Sequence, residues 1–101
     1  MLKHVVLFSL DGFETQEEKL IVLAKIKVEL ERLPESISAL RSMKVSVNEN
    51  PKESYDFMLE ALVESIEALP LYADHPDHVE VVRSLIKPYL KARACVDYSV
   101  E

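Results

Sequence analysis

The chain has 101 residues, 49% of them apolar and 30% charged, with a formal net charge of −6. That length and composition fit one folded domain built around a single core, not a disordered segment. The acidity, with no basic run to offset it, excludes the clustered Lys and Arg that neutralise nucleic-acid phosphates and disfavours docking on an anionic membrane.

Residues 2–10 read as a strand, with Leu2, His4, Val6, Phe8 and Leu10 on one face and Val5 and Leu7 on the other. This apolar run is too short to span a bilayer, and no small-residue cleavage site follows it. Native structure in a cytoplasmic protein is the expectation. Gly12 is the single glycine, so the dinucleotide fingerprint and the phosphate-cradling loop are both missing, and no cofactor is expected. Thr15-Gln16-Glu17-Glu18 has the form of a capping box. It predicts a helix to about Leu33, with Leu20, Leu23, Ala24, Ile26, Leu30 and Leu33 inward, ended by Pro34. Glu29, Glu31, Glu64 and Glu67 read as solvated surface.

A second strand is predicted over 39–48, carrying Leu40, Met43, Val45 and Val47. The polar stretch 48–53 then serves as a turn, and a third strand covers 55–63. Ser65 reads as the N-cap of a short helix to about Tyr72. Pro76 opens another helix to about Leu90, bent or tightened before Pro88. The last strand spans 92–100, with Cys95 expected as a buried structural thiol, since one cysteine forms no internal disulfide. The order β-α-β-β-α-β predicts a ferredoxin-like α+β fold with a four-stranded antiparallel sheet. Strands one and three are apolar on both faces, and helices cover only one. A second copy packed sheet against sheet, as a homodimer, is therefore expected; a monomer with a partly apolar sheet is the alternative.

Tyr72, His75 and His78 fall within seven residues at the predicted break between two helices, and His4 opens the first strand. His75 precedes a proline, which disfavours helical backbone, so it is expected as the N-cap serving local backbone. His78 falls in the first turn, where the helix dipole disfavours imidazolium and so favours a general base; Asp74 and Asp77 push the other way. Tyr72 is suited to donate its hydroxyl to a carbonyl that becomes an enolate. His4, His75, His78 and a neighbouring aspartate form only a weak metal pattern, and no metal is expected.

Lys3-His4-Val5-Val6-Leu7-Phe8, His75-Pro76-Asp77-His78 after Tyr72, and Asp97-Tyr98 together resemble the stress-responsive α/β-barrel (Dabb) family over essentially the whole chain. The resemblance implies a dimeric α+β barrel. More distantly, the chain is similar to plant polyketide cyclases of the olivetolic acid cyclase type, which close an aromatic ring by aldol condensation. That similarity implies Tyr72 and His78 as the pair acting on substrate and His4 as a pocket residue. Phe57 stands where those cyclases carry a pocket histidine, and Val22, Leu23 and Ile26 stand roughly where they carry bulky aromatics. The expected function is a homodimer binding a small, largely apolar organic molecule between helices and sheet, with His4, Val6, Phe8, Phe57 and Leu59 as walls. The alternatives are a cyclase- or lyase-like enzyme using Tyr72 and His78, and a non-catalytic interaction scaffold.

Overall fold

The computed structural model describes residues 1–100. In chain order the elements are β1 (Leu2–Leu10), α1 (Gln16–Arg32), β2 (Ser42–Val47), β3 (Phe57–Val63), α2 (Leu69–Ala73), α3 (Pro76–Val81) and β4 (Leu90–Ser99). The strands form one sheet in the order β2-β3-β1-β4, with every neighbouring pair antiparallel. This is a ferredoxin-like α+β fold.

Register decides which side chains share a face. His4 pairs with Ala61 on β3 and Asp97 on β4, and Val6 pairs with Leu59 and Cys95. Directly opposed residues point the same way, so these positions share the helix-covered side. Val6, Phe8, Val45, Phe57, Leu59, Ala61 and Val63 are buried there with Leu23, Ile26 and Leu30 of α1. Thr15 caps α1, its hydroxyl accepting the Glu18 amide at 3.1 Å. Leu20 and Ala24 are exposed, contrary to the expected inner face. At about 100° per residue both point away from the stripe centred on Leu23, Ile26, Leu30 and Leu33.

Several boundaries differ from the sequence expectation, β4 among them, which spans Leu90–Ser99 rather than the expected 92–100. β2 starts at Ser42, not 39, because Leu33–Glu35 forms a 3₁₀ turn and buried Ile37 and Leu40 pack into the core through a second turn. β3 is regular from Phe57, although the Asp56 backbone still donates to the Phe8 carbonyl and accepts the Asn48 amide; its carboxylate accepts the Leu10 amide at 2.6 Å and pairs with Lys19 at 2.7 Å. Ser65 caps only a turn, accepting the Ala68 amide, and α2 begins at Leu69 with Pro70 in its first turn. Beyond α3 the helix widens into a π turn at Val82–Ile86 and tightens into a 3₁₀ turn at Lys87–Tyr89. Pro88 has no N–H to return to the Ser84 carbonyl, so regular α-helix does not persist.

Glu31 is not merely solvated. Its carboxylate accepts the Val45 amide of edge strand β2 at 2.9 Å, while Lys27 donates to the Val45 carbonyl at 2.7 Å and to Glu31 at 2.9 Å. Side chains of α1 thus occupy backbone groups on a strand edge that otherwise invites pairing. The opposite sheet face carries Val5, Leu7, Met58, Leu62, Ala94, Val96 and Tyr98, and no described element covers it. Val96 is 61% exposed.

Removing the Glu31 carboxylate tests the edge contact. The Val45 amide, as the largest influence, holds the Glu31 pKa below the ordinary carboxylate value; burial opposes it, and Lys27 and Lys44 assist. Its stabilisation is complete above the unfolded carboxylate pKa and is lost as pH falls through the lower folded value. Glu31→Ala is expected to lower unfolding free energy by about 1 kcal/mol near neutrality. In urea titrations that deficit should shrink in acid; a constant deficit, or none, contradicts the role given to Glu31.

Candidate functional site

The sheet is wider than its main helix. α1 lies over β2, at one side, so the helix-side surface of β1 and β4 is roofed by α2, α3 and the turns that follow. These short, interrupted elements fill the space incompletely. A cavity of about 450 Å³ remains, within the range that holds small organic molecules. His4, Val6, Phe8, Leu59, Tyr72 and His78 all line it. Phe57 does not; it stacks behind Phe8 with ring centroids 4.9 Å apart.

The roof breaks at Asp74-His75-Pro76. Asp74 closes α2 by donating to the Pro70 carbonyl, and His75 sits extended (φ −65°, ψ 135°) as the N-cap of α3. The His75 ring accepts the Asp77 amide at 3.1 Å and so serves its own turn. The reversal brings Tyr72 and His78, six positions apart, into contact with ring centroids 4.4 Å apart. Across the break, His78 Nδ1–H donates to the Ala73 carbonyl at 2.8 Å. That bond fixes the tautomer, leaving Nε2 with its lone pair.

Burial is the main influence on His78 and lowers its pKa; the Ala73 hydrogen bond and Asp74 oppose this, while His4 and His75 add to it. Burial, rather than the helix dipole invoked from sequence, thus leads in favouring neutral imidazole. Tyr72 is 1% exposed, and burial raises its pKa well above the free phenol value despite Arg93 nearby. It is a donor at any physiological pH. No hydrogen bond engages its hydroxyl or His78 Nε2 among the described residues, yet no side-chain polar atom is both fully buried and unpaired. Both atoms therefore keep some accessible surface, on residues that line the cavity.

β4 supplies polar groups that the sequence reading did not place here. His4 Nδ1–H donates to Asp97 Oδ1 at 2.5 Å, and Cys95 Sγ lies 3.5 Å from His4 Nδ1. Cys95 is half-buried on the cavity wall, not the buried thiol expected from the sequence, with the His4 imidazole beside it. Burial and the Asp97 carboxylate raise its pKa, so it is a poor nucleophile as it stands. Arg93 and Lys87 complete the rim. Alternation of Arg93, Cys95 and Asp97 along one strand is visible in the sequence. That they face His4 depends on the β1–β4 register.

A family model described as Stress responsive A/B Barrel Domain matches residues 2–100. Among solved structures, a dimeric ferredoxin-like protein of unknown function from Bacteroides fragilis is 36% identical (TM-score 0.90), covering 98% of this chain and 95% of that one. A Dabb family protein from Mesorhizobium loti is 26% identical (TM-score 0.73; 99% and 96% covered). A hydroxynitrile lyase from Passiflora edulis, at 12% identity (TM-score 0.77; 99% and 93% covered), shares the fold alone. No curated protein matches the chain.

The depressed His78 pKa has a measurable consequence. Between the folded and unfolded values only the unfolded chain binds the proton, so stability falls as pH drops through the unfolded pKa near 6.5. Thermal melts from about pH 7.5 to about pH 5.5 should destabilise the native chain more than His78→Gln. Equal losses would mean the imidazole is not held neutral.

Proposed function

The chain belongs to the stress responsive A/B barrel domain family, and on that basis we propose that it is a homodimer holding a small, largely apolar carbonyl compound in the cavity beneath its broken helix. The observation that supports this reading is a mostly apolar cavity of about 450 Å³ with Tyr72 and His78 among its lining residues, while neither the Tyr72 hydroxyl nor His78 Nε2 is hydrogen-bonded within the described residues. Apolar walls supply affinity, and the two polar atoms fix orientation. The uncovered face with Val5, Leu7, Met58, Leu62, Val96 and Tyr98 supports dimerisation, as do relatives described as dimeric. Packed against its equivalent on a second copy, that face leaves water.

The same two atoms support a catalytic reading. His78 Nε2 removes a proton from the carbon beside the carbonyl, and the electron pair moves onto oxygen. The Tyr72 O–H then hydrogen-bonds the resulting enolate. The carbanion adds to a second carbonyl, forming the carbon–carbon bond, and His78 returns its proton to the new alkoxide. That is an aldol step, and its reverse is a lyase step; neither needs a cofactor.

A panel of small aliphatic and aryl ketones, aldehydes and β-dicarbonyls, screened by thermal shift, tests the ligand reading. A binder at 100 times its Kd is expected to add about 2.7 kcal/mol to native stability. Leu59→Trp, which fills the cavity, should abolish the shift. His78→Ala should retain binding but lose any turnover. No stabilising compound, or a shift unchanged in Leu59→Trp, rejects the pocket. Val96→Asp should convert the dimer to monomer in sedimentation; a native chain that sediments as monomer rejects the pairing.

A further inference from the structure

We propose that His4, Cys95 and Asp97 form a three-ligand site for a zinc-type divalent transition-metal ion, with the fourth coordination position open to the cavity. The register sets this up: Asp97 lies opposite His4, and Cys95 lies opposite Val6, one pair further along the same face. One donor atom from each residue falls within 4.8 Å of the other two. Two are on edge strand β4 and the third is on β1, so the sheet itself holds the set.

The spacings approximate a coordination sphere. Sγ of Cys95 is 3.5 Å from His4 Nδ1 and 3.8 Å from Asp97 Oδ2, while Nδ1 and Oδ1 are 2.5 Å apart. A tetrahedral ion bonded at about 2.3 Å to sulfur and about 2.0–2.1 Å to nitrogen and oxygen holds sulfur roughly 3.5 Å from the other two. The same geometry sets nitrogen and oxygen roughly 3.3 Å apart. The sulfur–nitrogen distance already fits, and Asp97 Oδ2 lies near the right distance from sulfur. The short contact to the imidazole belongs to the other oxygen, Oδ1, so the carboxylate has to turn about a soft terminal torsion on a partly exposed side chain to offer one oxygen to the ion.

Donor chemistry narrows the ion. A thiolate with an imidazole and one carboxylate disfavours Mg²⁺ and Ca²⁺ and suits Zn²⁺ or Co²⁺. On binding, the thiol releases its proton to solvent, and the imidazole stays neutral as its proton passes from Nδ1 to Nε2 through solvent. Thiolate and carboxylate then balance the charge of the ion. Three protein ligands with an open position is the arrangement of reactive zinc sites, whereas structural sites are closed by four. The open position faces space shared with Tyr72 and His78, so an oxygen or sulfur donor of a cavity ligand completes the sphere. The metal site stands whether or not an organic molecule enters the cavity, so either reading can fail without the other.

Cobalt(II) titration of the reduced, chelator-stripped full chain decides the matter. One equivalent per chain should produce a near-ultraviolet sulfur-to-cobalt charge-transfer band together with strong visible bands of a four-coordinate ion. Cys95→Ser should remove the sulfur band and weaken binding at least about tenfold, and Asp97→Asn should weaken binding comparably while keeping the band. If Cys95→Ser fails to fold by circular dichroism, Asp97→Asn and the native sulfur band carry the decision. No sulfur band at stoichiometric cobalt, or Asp97→Asn binding equal to native, means that His4 and Asp97 are only a hydrogen-bonded pair and overturns the proposal.

Discussion

A single hydrogen bond, from His78 Nδ1 to the Ala73 carbonyl, spans the break between α2 and α3 and organises the site around it. Pro76 forces the chain out of helix at His75, and Asp74 ends α2 one residue earlier. Without a tie across the gap the two short helices would be joined by little more than a turn. The bond satisfies a carbonyl at the end of α2, turns the imidazole toward Tyr72 and selects which ring nitrogen stays bare. One contact thereby couples helix termination, roof geometry and acid–base character.

The sheet explains why such a roof is needed. Four antiparallel strands present more helix-side surface than α1 covers, and α1 is committed to β2, where Glu31 and Lys27 engage the backbone of Val45. The other half falls to segments interrupted by Pro70, Pro76 and Pro88. Prolines at those positions limit helix length and hence packing, and the unfilled volume collects over β1 and β4. Gly12 contributes at the rim of this arrangement. Its φ of +93° lets the chain reverse after β1, so that Phe13 stacks on Tyr89 at 4.3 Å.

Much of this was legible from local pattern. Alternation from Leu2 to Phe8 and the Thr15 cap define β1 and the start of α1, because both depend on residues adjacent in sequence. The order of elements and the ferredoxin-like topology followed from the same periodicities. Pro76 located the helix break, across which Tyr72 and His78 meet. Long-range register was not legible. Asp56 reads as an ordinary strand residue, with nothing local to show that Leu10 and Lys19 claim its carboxylate. Glu31 reads as surface until the β2 edge is placed beside it. Cys95 and Asp97 sit 91 and 93 residues from His4, and only the pairing of the first strand with the last brings the three together. Phe57 reads as a wall because it alternates with Leu59, yet Phe8 lies between it and the cavity.

The decisive quantity is the protonation pattern of one imidazole. Two-bond proton–nitrogen correlation spectra of the ¹⁵N-histidine-labelled chain at neutral pH report it directly, with His78→Gln supplying the assignment. Holding the ring by the Ala73 carbonyl requires a proton at Nδ1, and the burial that disfavours imidazolium requires a neutral ring, with an Nε2 shift typical of a bare nitrogen. An imidazolium, or a ring protonated at Nε2, would mean that no base faces the cavity and would contradict the account.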